Sequence, residues 1–341
     1  MKTFQPKTVI FRENALEYPL GKKLYEKFNK NNEVEVHTVA SRGRFPFDYN
    51  ISFRKKFHRA KQTIVVSVRS ISKFQSCRPS AHYQLPLVSG CPGHCHYCYL
   101  STNMGKSPYI RLYVNLAEIY DKTLEYIEER KPEKTIFEGA ATSDPLPVEK
   151  WSGALGKTIK FFAGQKYASF RFVTKFAAVE PLLKIDHKSK TEFRFSLNSK
   201  HPVDKFEKGT PNITARIKAA RKTAEAGYKT GFLVAPIFIY DNWQNEYQNL
   251  LEEIADNFPE QGNGLSFELI SHRFTERAKN IIEKAYPGNV LPMNEEAREF
   301  KYGQFGYGKY VYPEESRQRM ENFFKEKIDD ILPQATIKYF V

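Results

Sequence analysis

From residue 82 onward the chain alternates between two periods. Short runs rich in β-branched and aromatic residues, among them "KTIFEGA" (134–140), "SFRFVTKF" (169–176), "EFRFSLN" (192–198), "TGFLVAPIFI" (230–239) and "LSFELISHRF" (265–274), read as strands. A further run, "HYQLPLVSG" (82–90), is the first of the series. Between the runs, apolar positions recur three and four residues apart. "NLAEIYDKTLEYIEERK" (115–131) sets Leu116, Ile119, Tyr120, Leu124 and Ile127 on one helical face. "ITARIKAARKTAEAGY" (213–228) aligns Ile213, Ile217, Ala220 and Ala224 and stops at Gly227. Helices are also predicted over 152–164 and 245–258, and a helical turn over 178–185. Six such strand–helix units in order predict a parallel sheet with right-handed crossovers. The count falls short of a closed eightfold barrel. The expected architecture is therefore α/β, a partial (β/α)6 TIM-type barrel, with a doubly wound sheet as the alternative. In either, ligands collect at the C-terminal ends of the strands.

Residues 1–80 read as a smaller N-terminal α/β extension, with strands at 8–11, 33–39 and 62–69 and a helix near 15–30. The barrel is assigned to 81–284. The C-terminal extension, 285–341, carries a glycine-turned β-hairpin in "YGQFGYGKYVY" (302–312), a helix and a last strand, "TIKYFV" (336–341).

Charge adds a partner class. The 53 lysines and arginines exceed the 39 acids, for a formal net charge of +14. Such a surplus favours polyanions through phosphate contacts and counterion release. Basic runs lie at 53–61, 215–222 and 308–310, each of which alone is also an ordinary solvated face. No apolar run has the length of a membrane span or the pattern of a signal peptide, so a soluble, cytoplasmic protein without a membrane partner is expected.

Chemistry concentrates in "CPGHCHYCYL" (91–100), which holds three of the four cysteines. Four cysteines are too few for a disulfide scaffold in a chain of 341 residues. Cys91, Cys95 and Cys98 have the spacing C-x3-C-x2-C. A zinc knuckle would need a fourth ligand from Cys77, His94 or His96, and the spacing lacks the paired C-x2-C of zinc ribbons. The other candidate is an iron–sulfur cluster held by three thiolates, with one iron left open to a small molecule. Cys77 lies outside the motif and reads as a structural thiol.

With Tyr97 before the last cysteine, the pattern C-x3-C-x-aromatic-C resembles the signature of the radical S-adenosylmethionine superfamily. Within it, segments along the whole chain resemble the spore photoproduct lyase family: "ALEYPLG" (15–21), "GCPGHCHYCYL" (90–100), "SPYIRLYVN" (107–115), "FEGAATSDP" (137–145), "RFVTKF" (171–176), "FRFSLN" (193–198), "VAPIFI" (234–239), "FELISHRFT" (267–275) and "GKYVY" (308–312). The resemblance implies a 4Fe-4S cluster on Cys91, Cys95 and Cys98, with S-adenosyl-L-methionine on its open iron. A one-electron reductant such as a flavodoxin or ferredoxin is implied as well. The implied substrate is 5-thyminyl-5,6-dihydrothymine in ultraviolet-damaged double-stranded DNA of the spore core, reversed to two thymines through a 5′-deoxyadenosyl radical. The alternatives are a radical enzyme for another nucleic-acid base and a non-catalytic zinc or nucleic-acid-binding protein.

The same resemblance distributes roles. Tyr99 and Tyr97 are candidates for hydrogen relay, Tyr97 equally for shelter of the cluster. Ser143, Lys175, Ser196, Asn198 and Ala235, at strand ends, are candidates to hold the cofactor with Tyr99. The Gly-Gly-Glu segment common in the superfamily is replaced here by "EGAATSD", so that carry-over fails. His272, Arg273, Tyr307, Lys309 and Tyr310 are candidates for DNA contact, the tyrosines as wedges against unstacked bases. The sharpest departure is Ala141, where the family has the cysteine that returns hydrogen to the product. Either another donor serves or the residue is a substitution, and the intact flanking pattern favours a substitution.

Overall fold

The computed structural model describes residues 4–259, 262–302, 306 and 308–341. The chain opens with β1 (Thr8–Arg12), α1 (Pro19–Asn29), β2 (Glu35–Val39), α2 (Phe53–Ala60) and β3 (Thr63–Ser67). Next come β4 (Ser76–Cys77), β5 (Ala81–Gln84), β6 (Val88–Ser89), β7 (His94–Cys95), α3 (Tyr99–Asn103) and β8 (Ile110–Tyr113). They are followed by α4 (Leu116–Arg130), β9 (Thr135–Glu138), α5 (Glu149–Ser152), α6 (Ala154–Ala163), β10 (Ala168–Thr174), β11 (Thr191–Leu197) and α7 (Lys200–Phe206). The remainder is β12 (Glu207–Lys208), α8 (Ile213–Glu225), β13 (Lys229–Ile237), α9 (Trp243–Asn257), β14 (Ser266–Ser271), α10 (Glu276–Ala285), β15 (Glu299–Tyr302), β16 (Gly308–Val311), α11 (Glu314–Ile331) and β17 (Thr336–Phe340).

Contacts divide the chain into two compact units: Met1–Pro92 with Asn103–Thr174 and Ala178–Glu192, and Gly93–Thr102 with Lys175–Ala177 and Phe193–Val341. In the first unit one sheet has the order β2-β1-β3-β8-β6. It is parallel except for β6, which pairs antiparallel with β8 through Val88↔Leu112 and Ser89↔Arg111. Val9, Ile10 and Phe11 on β1, an interior strand, are fully buried, as a continuous apolar run covered on both faces should be. A second run of neighbours is β4-β5-β9-β10, with β5, β9 and β10 parallel and β4 antiparallel at the margin. Its core is a phenylalanine column: Phe137 meets Phe162 at 5.5 Å, Phe162 meets Phe170 at 5.4 Å and Phe170 meets Phe172 at 5.7 Å. Burying one such side chain contributes roughly 1.5–3 kcal/mol.

In the second unit the strand order is β11-β13-β14-β17, with β13, β14 and β17 parallel. Small antiparallel pairs join β7 to β12 and β15 to β16. A hairpin is present but begins earlier than the expected 302–312, its first strand being Glu299–Tyr302, and the bridge Phe274↔Tyr310 fastens it to the end of β14. Tyr307 lies outside the described residues.

The predicted alternation of parallel strands and helices holds along the chain, with three differences. The strand expected over 82–90 breaks at Pro86, which has no N–H for a ladder. β5 pairs with β9, while β6 turns into the other sheet beside β8. The helix expected over 152–164 is two helices hinged at Gly153, whose φ is 57°. Elements β8, α2, α7 and α10 were not predicted, being short or masked by charge.

Candidate functional site

In the first unit, β9 delivers the loop that carries Ala141, Ser143 and Asp144. The turn begins with a close approach, since a Cβ on Gly139 would stand 2.7 Å from the Phe170 ring. Ser143 is buried, its Oγ donating to Gly139 O at 3.4 Å. Asp144, also buried, accepts from Thr174 Oγ1 at 2.8 Å and from Leu146 N at 3.3 Å. Gly90, immediately before Cys91, is bonded to this loop: its N donates to Thr142 O at 2.9 Å and its O accepts from Asp144 N at 3.4 Å. Gly90 has φ +81°, and a Cβ there would lie 2.5 Å from Tyr109 O, so only glycine fits. The first cysteine is thereby positioned against the loop of residue 141.

Ala141 and Thr142 also line a cavity of about 310 Å³. Ligand clefts begin at about this volume, roughly 300 Å³. Arg69, Lys73 and Arg111 bring three cations to its walls, with Gln75, Gln84, Ser89 and Tyr113. Arg69 lies 5.5 Å from the Tyr113 ring centre, and its backbone exchanges bonds of 2.8 and 2.9 Å with the Asn115 amide. Tyr113 donates to Ser89 Oγ at 3.1 Å. The wall is polar, cationic and held from behind.

In the second unit, β7 and β12 pair Cys95 with Glu207 and His94 with Lys208. The Glu207 side chain has no exposure and faces three partners. Lys175 Nζ approaches it at 2.8 Å, Arg216 Nη2 at 2.5 Å, and the Tyr97 hydroxyl donates to it in a short bond. Burial alone would raise this carboxyl, but Lys175 and Arg216 hold it at about 2. Burial, then the Glu207 charge, push the Cys95 thiol up to about 12 and the Tyr97 phenol well above its ordinary value. Tyr97 thus stays protonated and fixed in place beside the cysteines. None of the four cysteines is in a disulfide. A thiol such as Cys95 is protonated when alone, and a metal's charge converts it to a thiolate ligand. Three unoxidised thiols with Lys175 and Arg216 near Cys95 fit an iron–sulfur cluster by donor chemistry. Among the described residues, no three His, Cys, Asp or Glu side chains gather around one metal-ion position. A cluster needs no such point, because its thiolates bind different irons.

The predicted cofactor residues divide. Lys175 is engaged with Glu207. Asn198 has both amide ends committed within the protein: Nδ2 donates to Pro236 O at 2.7 Å, and Oδ1 accepts from Tyr247 at 2.7 Å and Ser199 N at 3.0 Å. It ties the end of β11 to β13 and α9. Ser196 is buried and its carbonyl accepts from Arg216 Nη1 at 3.1 Å. Ala235 is half-buried in β13. Tyr99, at the start of α3, is 60% exposed.

Of the residues predicted to meet DNA, His272 is 2% exposed and packed 4.6 Å from Phe238. Burial and Arg298 hold it well below its ordinary value, so it is a neutral interior side chain. Arg273, next in sequence, is exposed, with Tyr99 and Tyr339 as electrostatic neighbours. Lys309 is lowered by burial and by Arg273. Tyr310 stacks on Phe274 at 5.2 Å, so much of its ring covers the fold. Among the described residues of this hairpin, Phe300 and Tyr302 are exposed aromatics.

Sequence reasoning missed Glu207 and Arg216. A signal existed for Arg216, three residues after Ile213 and four before Ala220, inside the apolar stripe of α8. A cation there needs a buried partner.

An α/β fold of parallel strands with this cysteine spacing is that of the radical S-adenosylmethionine class. The family model described as spore photoproduct lyase matches residues 4–341. The spore photoproduct lyase of Clostridium acetobutylicum is 46% identical over 333 residues, 98% of each chain. That of Bacillus subtilis is 42% identical over 338 residues, 99% of this chain and 98% of its own. A solved spore photoproduct lyase with dinucleoside spore photoproduct superposes with a TM-score of 0.95 at 43% identity, covering both chains fully. So does a solved double mutant with bound AdoMet and dinucleoside spore photoproduct, at TM-score 0.95 and 44% identity. In that mutant one cysteine is replaced by alanine and one serine by cysteine. The chain belongs to the spore photoproduct lyase family.

Proposed function

We propose that this chain is a DNA-repair lyase that converts 5-thyminyl-5,6-dihydrothymine in ultraviolet-damaged duplex DNA to two thymines, in the cytoplasm of the spore core at germination. The observation that carries the reading is the family match along residues 4–341, from the N-terminal sheet through the cysteine loop to the last strand. Cys91, Cys95 and Cys98 would hold a 4Fe-4S cluster, fed by a flavodoxin or ferredoxin. When bound, cluster and S-adenosylmethionine supply a 5′-deoxyadenosyl radical.

The chain's own residues then have three tasks. The cationic cavity beside Ala141 receives the lesion, with Arg69, Lys73 and Arg111 toward its phosphate. A cross-linked, poorly stacked dinucleotide lowers the cost of leaving the helix, typically a few kcal/mol. Ser143 and Ser196 hold the cofactor at strand ends, and Arg273 and Lys309 meet the DNA backbone.

The third task is hydrogen return. Once carbon 6 of the lesion has lost a hydrogen atom, the methylene bridge breaks and leaves a thymine methyl radical. That carbon must take a hydrogen atom, and an alanine methyl is a poor source beside a thiol, because its C–H bond is the stronger. Three of the four cysteines belong to the motif, which leaves Cys77. Cys77 is a half-buried thiol outside any disulfide, on β4, two residues after Gln75, which lines the same cavity as Ala141. A solved double mutant of the family carries an exchange of this kind, a cysteine lost and a serine made cysteine. Cys77 is therefore our proposed donor: its S–H breaks, the product C–H forms, and Tyr99 relays back to sulfur the hydrogen atom first taken from carbon 6 of the lesion.

The test is anaerobic reconstitution with iron and sulfide, followed by incubation with S-adenosylmethionine, dithionite and either a dinucleoside spore photoproduct or a cyclobutane dimer. Conversion of the first alone is expected. A colourless protein, or no conversion of either, overturns the reading.

A further inference from the structure

The basic run at 53–61 is not used by the chemistry above. In the structure it is α2, and the loop before it shares its character. Residues 41–61 contain seven lysines and arginines against one acid, Asp48. The segment thus carries a net +6 of the chain's +14.

Two arginines anchor it. Arg12 lies 4.5 Å from the Phe45 ring and donates to Ala40 O at 2.8 Å and Gly43 O at 2.6 Å. Arg59 lies 4.1 Å from Phe47 and donates to Asp48 O at 3.0 Å. Phe45 and Phe47 both pack on Tyr109, at 5.0 and 6.1 Å. Helix α2 buries Phe57 and Ala60 and is capped by Ser52, whose Oγ accepts from Lys55 N at 3.3 Å. These contacts fix a rigid base.

Lys61 is buried, and the remaining five cations face outward. Arg42, Arg44, Arg54 and Lys55 are exposed and Lys56 is half-buried. Among the described residues none of the five takes part in an ion pair. Cations elsewhere in the same unit do: Lys122 pairs with Glu125, Arg130 with Glu133, and Lys131 with Glu128. Helix α2 has no acid with which to do the same. Concentrated like charge with no counter-charge opposes compactness unless a polyanion meets it.

We propose that α2 and the 41–50 loop bind the phosphate backbone of the duplex flanking the lesion. An eight-residue helix spans roughly 12 Å, enough for several phosphates along one strand at about 3.4 Å of axis each. The proposal rests on the lesion being presented in duplex DNA. A dinucleoside has no flanking phosphates, so its repair does not use this surface.

The experiment compares the parent chain with Arg54→Gln/Lys55→Gln and with Arg54→Glu/Lys55→Glu. Binding to a lesion-containing duplex is measured by fluorescence anisotropy between about 50 and 200 mM salt, the range over which phosphate contacts are lost. Dinucleoside conversion and the thermal midpoint are measured on the same preparations. The glutamine pair should lower the slope of log K against log salt by about 1.8, at about 0.9 per phosphate contact. The glutamate pair should weaken binding further. Dinucleoside conversion and the melting temperature should not move. Parent-like affinity and slope in both variants would overturn the proposal. A parent chain that leaves the dinucleoside unconverted would count against the lyase reading, while the salt slope still decides the surface.

Discussion

Glu207 sits where the fold and the cysteine loop meet, and Glu207→Gln is a direct test of that reading. The change keeps shape and removes charge. Lys175, 15% exposed, and Arg216, with no exposure, would then lack their counter-charge where water cannot replace it. Removing one partner of a buried ion pair costs roughly 3–5 kcal/mol, a large part of the about 5–15 kcal/mol available to a folded protein. At about 2–4 °C per kcal/mol the melting temperature should fall on the order of 10 °C. The pH dependence has a definite sign. The folded-state carboxyl is depressed from 4.5 to about 2, so its contribution is complete above 4.5 and is lost as pH falls toward 2. The gap between parent and variant should therefore be widest near neutrality and narrow through that acid window. Urea unfolding at several pH values measures both. Arg216→Met in the same background should recover part of the loss, because it removes the orphaned cation. A loss below about 1 kcal/mol at pH 7, against the 3–5 expected of a buried pair, or a gap that widens with acid, would refute the argument.

Cys91→Ala, Cys95→Ala and Cys98→Ala should each abolish cluster assembly, read as iron content after reconstitution, whereas Cys77→Ala should keep it; normal iron in any of the first three sinks the ligand assignment. Cys77→Ala should still cleave the bridge but yield adducts of dithionite instead of two thymines, and Ala141→Cys in that background should restore clean product by chromatography and mass spectrometry. If Cys77→Ala alone gives parental products at the parental rate, Cys77 is not the donor. Lys309→Ala should reduce the salt slope for lesion duplex by about 0.9, and an unchanged slope would remove it from the interface.

The periodic parts of the fold were legible because one physical cause dominates them. The stripes of α4 and α8 and the apolar runs of β10, β11, β13 and β14 are set by burial, and burial leaves its period in the sequence. The less legible elements answer to other causes. Helix α2 is outwardly basic, with Phe57 and Ala60 its buried residues, so it reads as a charge run. β8 is too short for alternation to stand out, and β6 separates from β5 because of one proline. At the site, the cysteines and the loop after β9 are contiguous in sequence and could be named. Glu207, Lys175 and Arg216 are separated by up to 41 residues and converge only in the folded chain. His272 and Asn198 show the converse, polar residues at strand ends whose groups turn inward to serve the fold.

The pairing of β6 with β8 has a consequence for maturation. These strands stand at either end of the stretch that contains the three cysteines, and Val88↔Leu112 and Ser89↔Arg111 clasp its two ends side by side. The thiols are thus presented on a closed loop of about twenty residues. Closing a loop carries an entropy cost that grows slowly with its length, and here the strand pairing bears it. The clasp belongs to the sheet of β1, β2 and β3, so that sheet supports both ends of the cysteine stretch. A chain shortened at residue 80 would keep the β6 clasp but lose β3, leaving the other side of β8 a bare edge prone to pairing with other chains.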